Sequence, residues 1–148
     1  MTAPILVMGN KNYSSWSLRA WLGLRKAGVE FEERLLPLDT PQFYEQIKRL
    51  SPAGLVPALR DQDLCVWDSL AILEYVNERW AEHRLLPADA SKRALARSVS
   101  AEMHSGFALL RQTMPMNCRA IGRRVESNLA LEAEIKRVVE IWEDCRAL

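Results

Sequence analysis

No CxxC pair occurs in this chain, and its three cysteines, Cys65, Cys118 and Cys145, stand far apart. That number and spacing exclude a disulfide framework and suit a reducing, cytoplasmic setting. Only two histidines are present, His83 and His104, which excludes a metal cluster at any recognised ligand spacing. An excess of charge of one sign is lacking too. A net charge of +1 gives no electrostatic preference for nucleic acid or acidic substrates. No apolar run reaches the roughly 18 residues that suggest a membrane span. The amino terminus, MTAPILVMGN, has no basic segment and only a brief apolar one, so it does not read as a signal peptide. Repeats and low-complexity tracts are also missing. What is present is the composition of a soluble globular protein, 49% hydrophobic and 26% charged. Its 148 residues suffice for one domain, or for one and part of a second.

Punctuation along the chain predicts its elements. The apolar run Pro4 to Met8 is short enough for a buried strand. Ser14, Ser15 and Ser17 offer helix caps, and a helix to about Ala27 follows, with Leu18, Trp21, Leu22 and Leu24 on or near its buried face. Gly28 suits the residue after that helix, and Arg25 and Lys26 suit its negative end. Glu30 to Leu36 reads as a strand with Phe31 and Leu35 inward. Thr40-Pro41 is a cap followed by proline at the first helical position, with Phe43, Tyr44, Ile47 and Leu50 continuing the helical pattern. Ser51 to Gly54 is a turn, Leu55 to Leu59 a short strand containing Pro57, Arg60 to Asp63 a hairpin turn, and Leu64 to Trp67 a second strand. Asp68 or Ser69 caps the next helix, which ends around Trp80.

The order is then βαβ, α, ββα, which predicts a four-stranded mixed sheet with helices on both faces, the thioredoxin-like arrangement. Residues 81–90 read as a linker. Residues 1–90 carry 10 basic against 12 acidic residues, and 91–148 carry 10 against 7, a mild shift that supports a boundary there. A long helix starts at Asp89 or Ser91, with Leu95, Val99, Met103, Phe107 and Leu110 at helical spacing and Pro115 ending or kinking it. Met116 to Glu126 is basic and irregular. A last helix from Ser127 or Asn128 carries the stripe Leu131, Ile135, Val138, Val139 and Trp142. The expected organisation is 1–80 α/β, 81–90 linker and 91–148 all-α.

Val56-Pro57 and Asp68-Ser69, with a compact hairpin between them, resemble the glutathione-binding half of glutathione S-transferases. That resemblance implies a cis bond before Pro57, main-chain pairing of Val56 with the cysteinyl unit of glutathione, and reception of the γ-glutamyl end at Asp68-Ser69. Leu55 stands where family members often carry Lys or Gln. The segment Tyr13-Ser14-Ser15-Trp16-Ser17 is similar to the SSCS signature of zeta-type members, with Trp16 in place of the motif's cysteine. It sits where thioredoxins carry CxxC. Serines cannot perform dithiol exchange, but a hydroxyl at a helix N-terminus can favour the thiolate of a bound thiol.

By this resemblance Ser14 activates glutathione, Ser15 is its helper or alternative, and Tyr13 is a rival donor. The activity implied is thiolate attack on a small hydrophobic electrophile by a cytosolic homodimer. Glutathione is the co-substrate, and no metal is implied. An isomerase or peroxidase variant would use the same site with a different second substrate. The competing class is a non-catalytic transferase-like interaction module, of the kind found in translation factors and the stringent starvation protein.

Plainer readings accompany each residue. The serines and the Asp68-Ser69 pair also serve as ordinary caps. Trp16, Trp21, Trp67, Trp80 and Trp142 read as core or interface. His104, Arg111 and Met114 line the electrophile pocket or a solvated face, and Arg119, Arg123 and Arg124 a solvated loop. The resemblance covers the first domain and two helices of the second. It leaves open whether the 148-residue form is a fragment or short by nature, and long helices without packing partners predict association or low stability.

Overall fold

The computed structural model describes residues 2–148. Strand β1 (Ile5–Met8) is central and pairs parallel with β2 (Glu32–Leu35) and antiparallel with β3 (Ala58–Asp61). β3 pairs antiparallel with β4 (Leu64–Trp67), giving the order β2-β1-β3-β4. Helices α1 (Ser15–Lys26) and α3 (Ser69–Arg79) pack against each other on one side. α2 (Pro41–Leu50) covers a second cluster built on Val7, Leu36, Phe43, Ile47 and Ala58. The first cluster joins Leu6, Met8, Ala20, Leu24, Leu59, Ile72 and Val76. Alternate β1 residues thus feed opposite clusters, as the period of a strand requires. The mixed sheet with helices on both faces is the thioredoxin-like fold expected.

Caps fall where the sequence places them. Ser14, Thr40, Asp68, Asp89 and Asn128 each accept an N–H of the following helix through their side chain. Gly28 follows α1 with φ +70°, a left-handed conformation that glycine adopts without a Cβ clash.

Four expectations are corrected, two of packing and two of element bounds. Leu22 and Leu35 are exposed. The buried face of α1 is made instead of small residues, Ser17, Ala20 and Gly23, together with Leu24. At Gly23 a Cβ would run into the Leu73 side chain, so its absence lets α1 and α3 approach closely. Phe31 packs on the first cluster as expected, but Leu35, at the end of edge strand β2, is exposed, and Leu36 just beyond it is buried in the second cluster. The strand expected over 55–59 begins only at Ala58, leaving Leu55, Val56 and Pro57 as a connector, and Arg60 and Asp61 belong to β3.

The helical part has three helices where two were expected: α4 (Ala90–Ser105), α5 (Ala108–Thr113) and α6 (Leu129–Arg146). The break falls at Gly106-Phe107, where Phe107 takes φ 62°, rather than at Pro115. The turn drives Phe107 into a small cluster with Val138 and Ile141. The α6 seam is Leu131, Val138 and Ile141, and Trp142 and Val139 face outward.

Candidate active site

Four segments converge on a cavity of about 290 Å³: the first turn of α1 (Trp16), the connector Leu55-Val56-Pro57, the β4–α3 junction (Trp67, Asp68, Ser69) and α4 (His104). The Val56-Pro57 bond is cis. Val56 precedes the β3 ladder, whose pairing starts at Ala58, so its main-chain groups stand outside the sheet register. Leu55 lines the same cavity and is well exposed.

Asp68 caps α3 from an unusual backbone conformation, φ 71° and ψ 135°, which for a residue with a Cβ costs on the order of 1–3 kcal/mol. Both its carboxylate oxygens are engaged. Oδ1 accepts the Leu70 N–H at 2.8 Å, and Oδ2 lies 3.2 Å from His104 Nε2. Ser69 is the first residue of α3 and only 1% exposed, and among the described residues its Oγ has no hydrogen-bond partner. A buried hydroxyl in that state is a free donor. It sits where the first N–H groups of α3 and the positive end of its dipole favour an anion.

Next to the cavity, Ser14 caps α1. Its Oγ accepts the Ser17 N–H at 3.4 Å and donates to Ser17 Oγ at 2.8 Å. Ser17 Oγ in turn accepts the Gly9 N–H at 3.0 Å. Hydroxyl protons rotate, so Ser17 can donate to Ser14 and free the Ser14 proton for an outside acceptor. Ser14 is buried, whereas Ser15, at the first helical position, is partly exposed. Neither serine lines the cavity wall itself, but Trp16, the next residue, does. Tyr13 is 57% exposed.

Trp16 and Trp67 therefore line the cavity and are not core residues, Trp67 being 46% exposed. The Trp16 ring meets His104 edge-on at 5.1 Å and carries the guanidinium of Arg19 at 4.3 Å and that of Arg111 at 4.8 Å. Burial, reinforced by the charge of Arg111, lowers the Arg19 pKa, and Asp68 opposes that shift. Arg111 also closes the α4–α5 break, its Nε donating to Gly106 O at 3.1 Å and its Nη2 to Met103 O.

The structure thus brings Leu55, Val56, Pro57, Asp68 and Ser69 to one cavity and sets Ser14 and Ser15 beside it. Sequence reasoning missed Ser17 and Arg19 as site residues. Their signal was present, since Ser17 stands three residues after the Ser14 cap and Arg19 three after Trp16, and residues three apart share a helix face. It also missed Asn12 and Asn117, which meet across 105 positions of sequence.

The family model for the glutathione S-transferase N-terminal domain matches residues 13–79, from the Ser14 loop through α3. Residues 13–79 are a glutathione S-transferase N-terminal domain. Maleylacetoacetate isomerase of Rattus norvegicus is 36% identical over 109 residues, covering 70% of this chain and 49% of the rat protein. Glutathione S-transferase Z1 of Arabidopsis thaliana is 32% identical over 129 residues, covering 82% of this chain and 55% of the plant protein. The chain therefore spans about half the length of these curated relatives. A Burkholderia glutathione transferase homologue solved with bound glutathione superposes with a TM-score of 0.63 at 30% identity, covering 75% of this chain and 58% of its own. The resemblance is zeta-like, as the serine signature implies.

Proposed function

We propose that this glutathione S-transferase relative binds glutathione in the cavity between Val56-Pro57 and Asp68-Ser69 and ionises its thiol with a serine at the start of α1. The observation that carries this reading is the pairing of a free, buried Ser69 Oγ with the Asp68 carboxylate at one helix N-terminus, opposite the cis Val56-Pro57 connector. The α-carboxylate of the γ-glutamyl unit takes the Ser69 hydroxyl and the α3 amides. The ammonium takes Asp68, and Val56 pairs with the cysteinyl main chain as a strand edge accepts a peptide.

The cysteinyl sulfur then lies toward the α1 N-terminus. There the relay Gly9 N–H, Ser17 hydroxyl, Ser14 hydroxyl ends on it and lowers its pKa by hydrogen bonding to the charged form. Ser15, with its more exposed position, is the alternative donor. The thiolate adds to an electrophilic carbon, and the displaced electron pair leaves with the departing group or takes up a proton.

A second reading is cis–trans isomerisation, favoured by the relation to the rat maleylacetoacetate isomerase. There the thiolate adds to a carbon–carbon double bond, the resulting single bond rotates, and elimination returns the thiolate, so glutathione is not consumed. Incubating the chain with glutathione and maleylacetoacetate while titrating free thiol separates the two readings. Thiol loss matching substrate loss marks transfer, and substrate loss at constant thiol marks isomerisation. Neither, together with no binding of glutathione in calorimetry, would leave an interaction module as the better account.

A further inference from the structure

Two hydrogen bonds tie the loop that presents Ser14 to the irregular segment between α5 and α6. Asn12 Nδ2 donates to Asn117 Oδ1 at 3.0 Å, and Cys118 N–H donates to Asn12 O at 3.2 Å. Asn12 stands two residues before Ser14. Its own N–H donates to Asn10 Oδ1 at 2.7 Å, and the Tyr13 and Ser14 N–H groups both donate to Asn10 O. The turn therefore has an internal frame built on Asn10, an ion pair from Lys11 to Glu33 at 2.6 Å on the sheet side, and at 117–118 its anchor to the helical part.

Asn117 is shaped for that anchoring. The Arg119 and Ala120 N–H groups also reach its Oδ1, at 3.3 and 3.2 Å, so three donors converge on one oxygen. An oxygen held by its own following turn can offer its remaining lone-pair direction to one external donor in a fixed place. The donor it meets is Asn12, half-buried, whose Oδ1 has no partner among the described residues.

We infer that Asn117 is a positioning residue: through Asn12 it fixes the loop that aims the serine hydroxyl, so thiol ionisation in the first domain depends on a segment of the helical domain. This rests on the serine reading above. It assigns a role to a stretch whose composition reads as a solvated basic loop. Its chemistry is that of an acceptor alone, since Asn117 Oδ1 does the work. An aspartate keeps that acceptor and an alanine removes it.

The test is the ultraviolet titration of bound glutathione thiolate on the wild-type chain and on N117A, N117D, N12A, S14A and S15A, at saturating glutathione. With Asn117→Ala or Asn12→Ala the bound thiol should titrate about one unit closer to free glutathione, a roughly tenfold loss of thiolate at neutral pH. At pH values where the bound thiol is protonated, the Kd for glutathione should hold near its wild-type value, because the Asp68-Ser69 end is untouched, and at higher pH it should weaken by no more than the same roughly tenfold factor. Asn117→Asp should titrate like wild type, and N12A/N117A should match either single variant, since both remove one bond. If Asn117→Ala does not fold, Asn12→Ala carries the same test from the other side. A wild-type titration in N117A and N12A, with thiolate lost in S14A or S15A, overturns the latch and leaves the serine reading standing. Equal loss in N117D and N117A also overturns it. Thiolate unchanged in both S14A and S15A, or absent in wild type, removes the serine reading and the latch together.

Discussion

The sheet half and the helical half of this chain are stabilised by different means. In the sheet half, Leu6, Val7, Ala20, Leu24, Leu59, Ile72 and Val76 have no exposed surface at all. In the helical half α4 buries no residue fully; Leu131 of α6 is closed off, but Phe107, Val138 and Ile141 are each slightly exposed. Surface pairs supplement it: Arg137 holds Glu102 through two hydrogen bonds of 2.7 and 2.9 Å. Exposed pairs of this kind contribute little. Meanwhile α6 leaves Trp142 61% and Leu129 85% exposed. One half is thus a scaffold with its own core. The other is a thin cover whose contribution to the site is a few side chains laid on it, His104, Arg111 and Asn117.

The largest effect that would break this contrast comes from its two cores. Leu59→Ala should cost about 2–5 kcal/mol and unfold the sheet half, because its site is closed on all sides. Ile141→Ala should cost less and loosen only the helical half, since the seam can collapse around it. Hydrogen exchange resolves the two. Protection in β1 and β3 should be lost with Leu59→Ala and kept with Ile141→Ala. Equal loss in both would show one cooperative unit rather than scaffold and cover.

Next in size is Ser69→Ala. It removes a buried hydroxyl that has no partner among the described residues but would donate to bound glutathione. Stability should hold or rise by up to about 1 kcal/mol, while glutathione affinity falls on the order of tenfold. Thermal melts with and without glutathione check both signs, and a fall in stability of the free protein would contradict the free-donor assignment.

The smallest effect is at the edge strand β2. Hydrogen bonds from Lys11 and Trp21 hold the Glu33 carboxyl below its ordinary value of 4.5. A carboxyl depressed on folding stabilises above its ordinary pKa and loses that contribution as pH falls through the folded value. Wild type and Glu33→Gln should therefore differ most above pH 4.5 and converge in acid. Melts across pH 3 to 7 would show it, and a gap that widens in acid would contradict the sign.

Local chemistry made much of the sheet half legible. Thr40-Pro41, Gly28 and the Asp68 cap each depend on neighbours within a few residues, and each falls where those residues demand. The cavity wall of Val56, Pro57, Asp68 and Ser69 was legible through family resemblance, because its two halves lie close in sequence. Leu35 was misread because it ends an edge strand beyond the reach of the cluster that takes Phe31, which alternation alone does not reveal. The break at Gly106-Phe107 was hidden because apolar residues keep helical spacing straight through it. Trp16, His104 and Arg111 could not be seen to meet, nor could Asn12 and Asn117. Their encounters follow from how the helical half lies on the sheet half, which no local pattern encodes.

The account turns on a serine ionising bound glutathione, and the most direct measurement is the ultraviolet absorbance of the bound thiolate against pH for wild type, Ser14→Ala and Ser15→Ala. A free thiol titrates near pH 8.5. The account predicts a bound thiol well below that in wild type, restored toward it by Ser14→Ala with glutathione still bound. Restoration by Ser15→Ala alone would move the role one residue along the same turn. A wild-type bound thiol that titrates like the free one would contradict the account.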